Sequence, residues 1–265
     1  MPIEISARFS FTASQPTDTL LQFEAAAISE QALHAVETRL HANERYVRVP
    51  AQDEIGERIW LSAEGRIDIA YSAKVEVTRK TCALEELNGL RPRDLPGKTI
   101  KYLFDSRYCQ ADRLQSFVEA EFGHLQGGQR IAAFRKWIGE HIAYDPGSSN
   151  SKTTALDSFV ERRGVCRDFA HVMIALARAS AIPARYVACY APGVVPQDFH
   201  AVAEVFLGDA EGSLGGAWHL VDATGMADPA QTVKIGVGRD AADVSFLTSF
   251  GEVHMLGQQV DVTAS

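Results

Sequence analysis

No two of the four cysteines in this 265-residue chain form a CxxC pair; Cys82, Cys109, Cys166 and Cys189 are scattered along it. That spacing argues against a zinc knuckle and a dense disulfide framework, and it reads as a set of free thiols in a reducing compartment. There is no run of eighteen apolar residues, so no membrane span is expected. The start, Met1-Pro2-Ile3-Glu4-Ile5, lacks the basic and then apolar regions of a secretory signal, and a cytoplasmic location is the expectation. Basic runs are missing as well, and no aromatics are interleaved with lysine or arginine. With a net charge of −8, nucleic acid is not an expected partner.

What is present is the composition of an ordinary globular protein. Hydrophobic residues make up 46% and charged residues 23%, which excludes a disordered chain, and the length suits one large or two modest domains. Residues 3–12 alternate, with Ile3, Ile5, Ala7, Phe9 and Phe11 against Glu4, Ser6, Arg8, Ser10 and Thr12, the pattern of a half-buried strand. After the breaker Gln15-Pro16-Thr17-Asp18, Thr19 to Phe23 reads as a second strand, and residues 44–50 and 57–62 as shorter ones. The turn Ala63-Glu64-Gly65 before Arg66 to Thr78 reads as a hairpin. Ala32 to His41 fits either a helix or a poor strand. The first ninety or so residues are therefore expected to form a small antiparallel β-sandwich. Leu90-Arg91-Pro92-Arg93-Asp94-Leu95-Pro96-Gly97 is a breaker cluster and the expected domain boundary.

Helical spacing follows. Leu114, Phe117, Val118 and Phe122 lie in one segment, and Ile131, Phe134, Ile138 and Ile142 form a clearer stripe in the next. Thr154-Ala155-Leu156-Asp157 has the form of a capping box, and the helix it opens is expected to close on Gly164 as a left-handed C-cap. Cys166 then starts a helix whose residues Phe169 to Ala177 are apolar on nearly every face, which places it inside a domain. Pro183 stops it. After that the period becomes two: Arg185 to Tyr190, Phe199 to Leu207 and Trp218 to Thr224 read as strands, with a glycine-rich loop at 208–216. Helices first and strands afterwards predict an α+β core on an antiparallel sheet.

Three residues carry the chemistry in this reading. A free cysteine is ordinarily a small buried hydrophobe. At a helix N-terminus, however, the positive end of the dipole favours thiolate and makes the sulfur a nucleophile. His200 opens one strand and Asp222 closes the next. A register with His200 facing Asp222, Glu204 facing Trp218 and Leu207 facing Gly215 leaves the polar glycine-rich residues as the connection, and it brings an imidazole beside a carboxylate. Thiol, base and orienter are the parts of nucleophilic acyl transfer. Asp168 is expected to support the helix dipole, His171 to be a core or supporting residue, and Cys82, Cys109 and Cys189 to be structural. Trp137, Trp218 and Tyr190 are expected in the core, and Arg239-Asp240 as a surface ion pair.

Four segments together, Gly164-Val165-Cys166-Arg167-Asp168-Phe169-Ala170, Ile182-Pro183-Ala184-Arg185-Tyr186-Val187, Asp198-Phe199-His200-Ala201-Val202-Ala203-Glu204-Val205 and His219-Leu220-Val221-Asp222-Ala223-Thr224, resemble the transglutaminase-like superfamily, above all its bacterial cysteine-protease branch. The resemblance is specific over residues 115–225. It extends more loosely to the N-terminal β region and to Ser106-Arg107-Tyr108-Cys109. It implies a papain/transglutaminase-like core with a buried, cysteine-bearing helix packed on an antiparallel sheet. It also implies Cys166 as nucleophile, His200 as general base and acid, and Asp222 as the residue orienting the histidine. Val202 departs from the pattern, since many relatives have tryptophan there, and acceptor specificity is left open by that change. No stretch has the calcium-site pattern of animal transglutaminases, so neither metal nor cofactor is expected.

The resulting expectation is an N-terminal β domain over 1–95, a linker over 96–114, a catalytic core over 115–225 and a C-terminal β extension over 226–265 that packs on the core or bridges the domains. The expected activity is cysteine-dependent acyl transfer on amide bonds of a peptide or protein substrate, by hydrolysis through a thioester. Transamidation, a non-catalytic binding module on the same fold and, remotely, a zinc site built from the same three residues stand as alternatives. The Cys166 backbone N–H is the natural first oxyanion donor; Tyr108, Tyr144 and the backbone near Ser148 are candidates for the second.

Overall fold

The computed structural model describes residues 1–41, 46–209 and 215–264, with only the backbone described at residue 41. Strand β1 (Ile3–Leu21) runs on where a break was expected, and β4 (Glu57–Val77) is one 21-residue strand rather than a hairpin. The two pair antiparallel along their length, and the register slips between Ala13 and Thr17. The two turn-like stretches thus face one another, and the chain bends there instead of reversing. The alternation read from the sequence is real: Ile3, Ile5, Ala7, Phe9 and Phe11 are buried while Glu4 and Arg8 are exposed.

The ambiguous segment is a strand, β2 (Gln31–His41), pairing with β4; its bulge between His34 and Glu37 includes Ala35 at φ 48° and breaks the alternation. Strand β3 (Val47–Pro50) also pairs with β4, and the first two residues of the expected 44–50 strand lie outside the described residues.

Four α-helices lie among the described residues: α1 (Gln115–Phe122), α2 (Gly127–His141), α3 (Ala155–Glu161) and α4 (Cys166–Ala179). Thr154 and Asp157 close the expected capping box, with the Thr154 N–H donating to Asp157 Oδ2 at 2.8 Å. The left-handed residue ending α3 is Arg162 (φ 59°), not Gly164. Gly164 instead belongs to a short parallel pairing of β5 (Ala143–Tyr144) with β6 (Arg163–Gly164). A Cβ on Gly164 would stand 2.7 Å from the Asp168 Cβ, so glycine is required by close approach. Asp168 Oδ2 accepts the Val165 N–H at 2.9 Å and secures the start of α4, which goes beyond a dipole contact.

Helix α4 is buried from Asp168 to Arg178. Each Ile, Leu or Met enclosed in this way contributes roughly 1.5–3 kcal/mol. The helix lies against a four-stranded antiparallel sheet of order β10-β7-β8-β9, made of β7 (Ala184–Tyr190), β8 (His200–Gly208), β9 (Gly216–Val221) and β10 (Val233–Gly238). The last strands, β11 (Leu247–Ser249) and β12 (His254–Ala264), return to pair with β1. Tyr190, Val233 and Ile235 of the core sheet enter the same apolar cluster as Phe9 and Phe11 of β1 and Phe23 just beyond it. A buried ionic group lies nearby, where Glu204, fully enclosed, pairs with Arg185 at 2.7 Å and with Lys234. No helix among the described residues is long and apolar enough to cross a membrane.

Candidate active site

Cys166 is the first residue of α4, a free and partly exposed thiol. His200 is the first residue of β8 and is 2% exposed. Asp222 follows the last residue of β9. The expected register is off by two residues: Glu204 faces Leu220 rather than Trp218, and Leu207 faces Ala217 rather than Gly215. The shift puts Trp218 opposite Phe206, where the rings meet edge to face at 5.3 Å, instead of opposite the buried carboxylate of Glu204. A slip of two keeps every side chain on its face. Asp222 therefore sits diagonally from His200 rather than opposite it, and the two still meet, with His200 Nε2 3.1 Å from Asp222 Oδ2.

The carboxylate is held in place from its other side. The Thr224 N–H and hydroxyl donate to Asp222 Oδ1 at 2.8 and 2.7 Å, and the Ala227 N–H donates to Oδ2 at 2.7 Å. Burial alone would raise this carboxyl; the His200 hydrogen bond and charge, with these donors, lower it below the usual range. For His200 burial disfavours the charged ring, but the Asp222 hydrogen bond and the charges of Cys166 and Asp222 outweigh it, and the ring is pushed up to about 9. Nε2 is taken by Asp222, and Nδ1 has no hydrogen-bond partner, leaving it as the nitrogen available to the sulfur. The supporting role of Thr224 was missed in the sequence, although it stands in the His-Leu-Val-Asp-Ala-Thr segment; a hydroxyl two residues after an aspartate is the signal of an Asx-type turn.

Cys166 and His200 line a cavity of about 350 Å³ together with Asp198, Phe199, Phe246 and Gln258, the last two from the C-terminal segment that joins the N-terminal sheet. Of the candidate second oxyanion donors, Tyr108 spends its hydroxyl on the Ser151 carbonyl at 2.8 Å, and the Ser148 N–H and hydroxyl both go to the Asp145 carbonyl. Tyr144 is different. Carried on β5 beside Gly164, its hydroxyl adjoins the thiol and backbone N–H of Cys166; burial first, and then the charge of Cys166, raise its pKa.

Other expectations divide. His171 is fully buried and stacked on Tyr108 at 5.1 Å, as a supporting residue, and burial holds it well below its ordinary pKa. Cys109 and Cys189 are buried, whereas Cys82 is exposed, its sulfur 3.7 Å from His219 Nδ1 in a different cavity. Tyr190 is fully buried; Trp218 is only partly so, under the Arg185 guanidinium at 4.1 Å. Arg239 pairs with Asp243 at 2.9 Å, and not with Asp240, which is buried and accepts the Tyr108 N–H at 2.8 Å.

Residues 106–223 match the sequence profile of the transglutaminase-like superfamily. A crystal structure from Cytophaga hutchinsonii, of a protein proposed to be a cysteine protease, shares 32% identity and superposes with a TM-score of 0.88, covering 99% of this chain and 90% of that one. The chain belongs to the transglutaminase-like superfamily. An uncharacterized Mycobacterium leprae protein is 30% identical over 119 residues, a match spanning 43% of this chain and 42% of that protein. In this superfamily member the profile ends one residue after Asp222 and takes in α1 to α4 and β7 to β9. The strands that complete the cavity wall lie outside it.

Proposed function

We propose that this chain is a cysteine-dependent acyl-transfer enzyme that cleaves amide bonds of a peptide or protein substrate through a thioester. The observation supporting this is a buried imidazole bonded through one nitrogen to a multiply held carboxylate, with its other nitrogen unspent and the Cys166 thiol beside it in the same cavity. In the proposed cycle the Cys166 sulfur attacks the amide carbonyl, and His200, charged, gives its proton to the departing amine. The carbon–nitrogen bond breaks and the thioester remains. Water then attacks with His200 taking its proton, and the acid is released as the thiol re-forms. The developing oxyanion takes the Cys166 N–H as its first donor and the Tyr144 hydroxyl as its second. The unpaired state of all four cysteines fits the cytoplasmic setting assigned to it here.

The test uses the Cys82→Ser protein, so that the exposed second thiol does not report. Iodoacetamide labelling, mapped by peptide mass spectrometry, is expected to modify Cys166 and to abolish turnover. Incubation with amide substrates is expected to release ammonia or amine at a rate independent of an added primary amine. Release that requires the amine, with its incorporation into product, would assign transamidation instead. Unchanged turnover in Cys166→Ala overturns the thioester route.

A further inference from the structure

The wall of the Cys166 cavity carries one negative charge, Asp198, that no cation balances among the described residues. Asp198 lies two residues before His200. Its Oδ1 accepts the Phe199 N–H at 2.7 Å, and the Gln258 side-chain amide of β12 donates to Oδ1 at 2.7 Å and Oδ2 at 2.9 Å. Those contacts orient the carboxylate without neutralising it. No lysine, arginine or histidine pairs with it among the described residues. The cations of the same cavity are committed elsewhere: Arg167 to Asp168 at 3.2 Å and to the Asn150 carbonyl, and His200 to Asp222. Burial accordingly raises the Asp198 carboxyl, and no positive charge acts to lower it. The charge of Asp198 is felt at Tyr144, whose hydroxyl adjoins Cys166, so carboxylate and nucleophile share one stretch of cleft. Phe199 and Phe246 line that stretch too, stacked at 5.1 Å. A half-buried carboxylate beside aromatic rings is the pairing that accommodates an organic cation: the carboxylate supplies charge and the ring faces supply quadrupole attraction.

We infer that Asp198 determines specificity in this cleft by binding a primary ammonium carried on the amide substrate near the scissile bond. This rests on the acyl-transfer reading given above. The ammonium is a spectator, because an amine kept protonated on a carboxylate has no lone pair with which to attack the thioester. Two sources offer the same group: the α-ammonium of a peptide N-terminus and the side-chain ammonium of a lysine-like residue. A cavity of about 350 Å³ admits either as a single extended segment.

The test compares matched substrates on the intact chain: a peptide amide with a free N-terminus against its N-acetyl form, and a lysyl peptide against its Nε-acetyl-lysyl form. p-Nitrophenyl acetate, which carries no ammonium, is the control. The expected result is acetylation of Cys166 by the control, seen by mass spectrometry, and a preference of about tenfold or more in kcat/KM for the charged member of one pair, corresponding to about 1.4 kcal/mol. The pair that shows it names the source. In Asp198→Asn the ratio is expected to collapse towards unity, and in Asp198→Glu to survive in part. Acetylation of Cys166 with no preference in either pair overturns this inference and leaves the acyl-transfer reading standing. Absence of Cys166 acetylation, together with p-nitrophenolate release no greater than that of Cys166→Ala, overturns both. Because the wild-type ratio decides on its own, misfolding of a variant does not remove the test.

Discussion

Asp222 holds the His200 ring from a diagonal position across the β8–β9 ladder, Oδ2 to Nε2 at 3.1 Å, with two backbone N–H groups and a threonine hydroxyl fixing the carboxylate behind it. Charge, not shape alone, passes through this contact. The carboxylate helps keep a buried imidazole protonated that burial would otherwise discharge.

Replacing Asp222 with Asn keeps the shape and removes the charge. The His200 pKa is expected to fall from about 9 towards its ordinary 6.5. A loss in kcat on the order of 10⁴-fold is expected if Asp222 acts as an orienting carboxylate. Steady-state kinetics of the variant across pH check both; a profile that keeps the wild-type alkaline limb would refute the coupling.

The raised His200 pKa also ties stability to pH in a definite direction. The folded state binds this proton more tightly than the unfolded chain, so the contribution is fully present below about pH 6.5 and is lost as pH rises through about 9. The stability advantage of wild type over His200→Gln is expected to narrow by about 3 kcal/mol between the ends of that window. Urea titrations of both proteins at several pH values measure it, and an advantage that grows with pH would contradict the assignment.

Gly164→Ala tests the seat of Cys166. The added methyl would meet the Asp168 Cβ at 2.7 Å, and Asp168 is the side chain that caps the start of α4. A destabilisation of about 1–3 kcal/mol is expected from overpacking, with slower alkylation of Cys166 as the helix end shifts. Denaturation midpoints and labelling rates should move together.

Glu204 presents the sharpest stability test. It is fully buried between Arg185 and Lys234, whose charges overcome burial and hold its carboxyl down to about 2. Glu204→Ala leaves Arg185 with Asp53 at 3.1 Å and Lys234 with Glu30 as their remaining carboxylates, and is expected to cost about 1–3 kcal/mol. A chemical-denaturation midpoint within error of wild type would show that the cluster relaxes to solvent.

Much of this molecule was legible in its sequence. The buried strand face from Ile3 to Phe11, the Thr154–Asp157 cap and the enclosed helix after Cys166 follow from periodicity and local hydrogen bonding, which act over a few residues. The misreadings share one cause. Gln15-Pro16-Thr17-Asp18 and Ala63-Glu64-Gly65 look like chain reversals taken singly, yet each is relieved by the other as a bend in one long strand pair. Arg239-Asp240 looks like an ion pair until Asp243 supplies better geometry for the arginine and the Tyr108 N–H claims the aspartate.

The sequence by itself determined the buried strand face of β1, the cap of α3 and which thiol begins an enclosed helix, because those depend on neighbours along the chain. Tertiary structure alone decided that Asp222 meets His200 diagonally, that Tyr144 is the tyrosine adjoining Cys166, and that Gln258 of β12 closes on Asp198 beside the thiol. Those contacts join residues tens of positions apart, and only sheet order and register, chosen by the burial of aromatic and charged side chains together, bring them into reach.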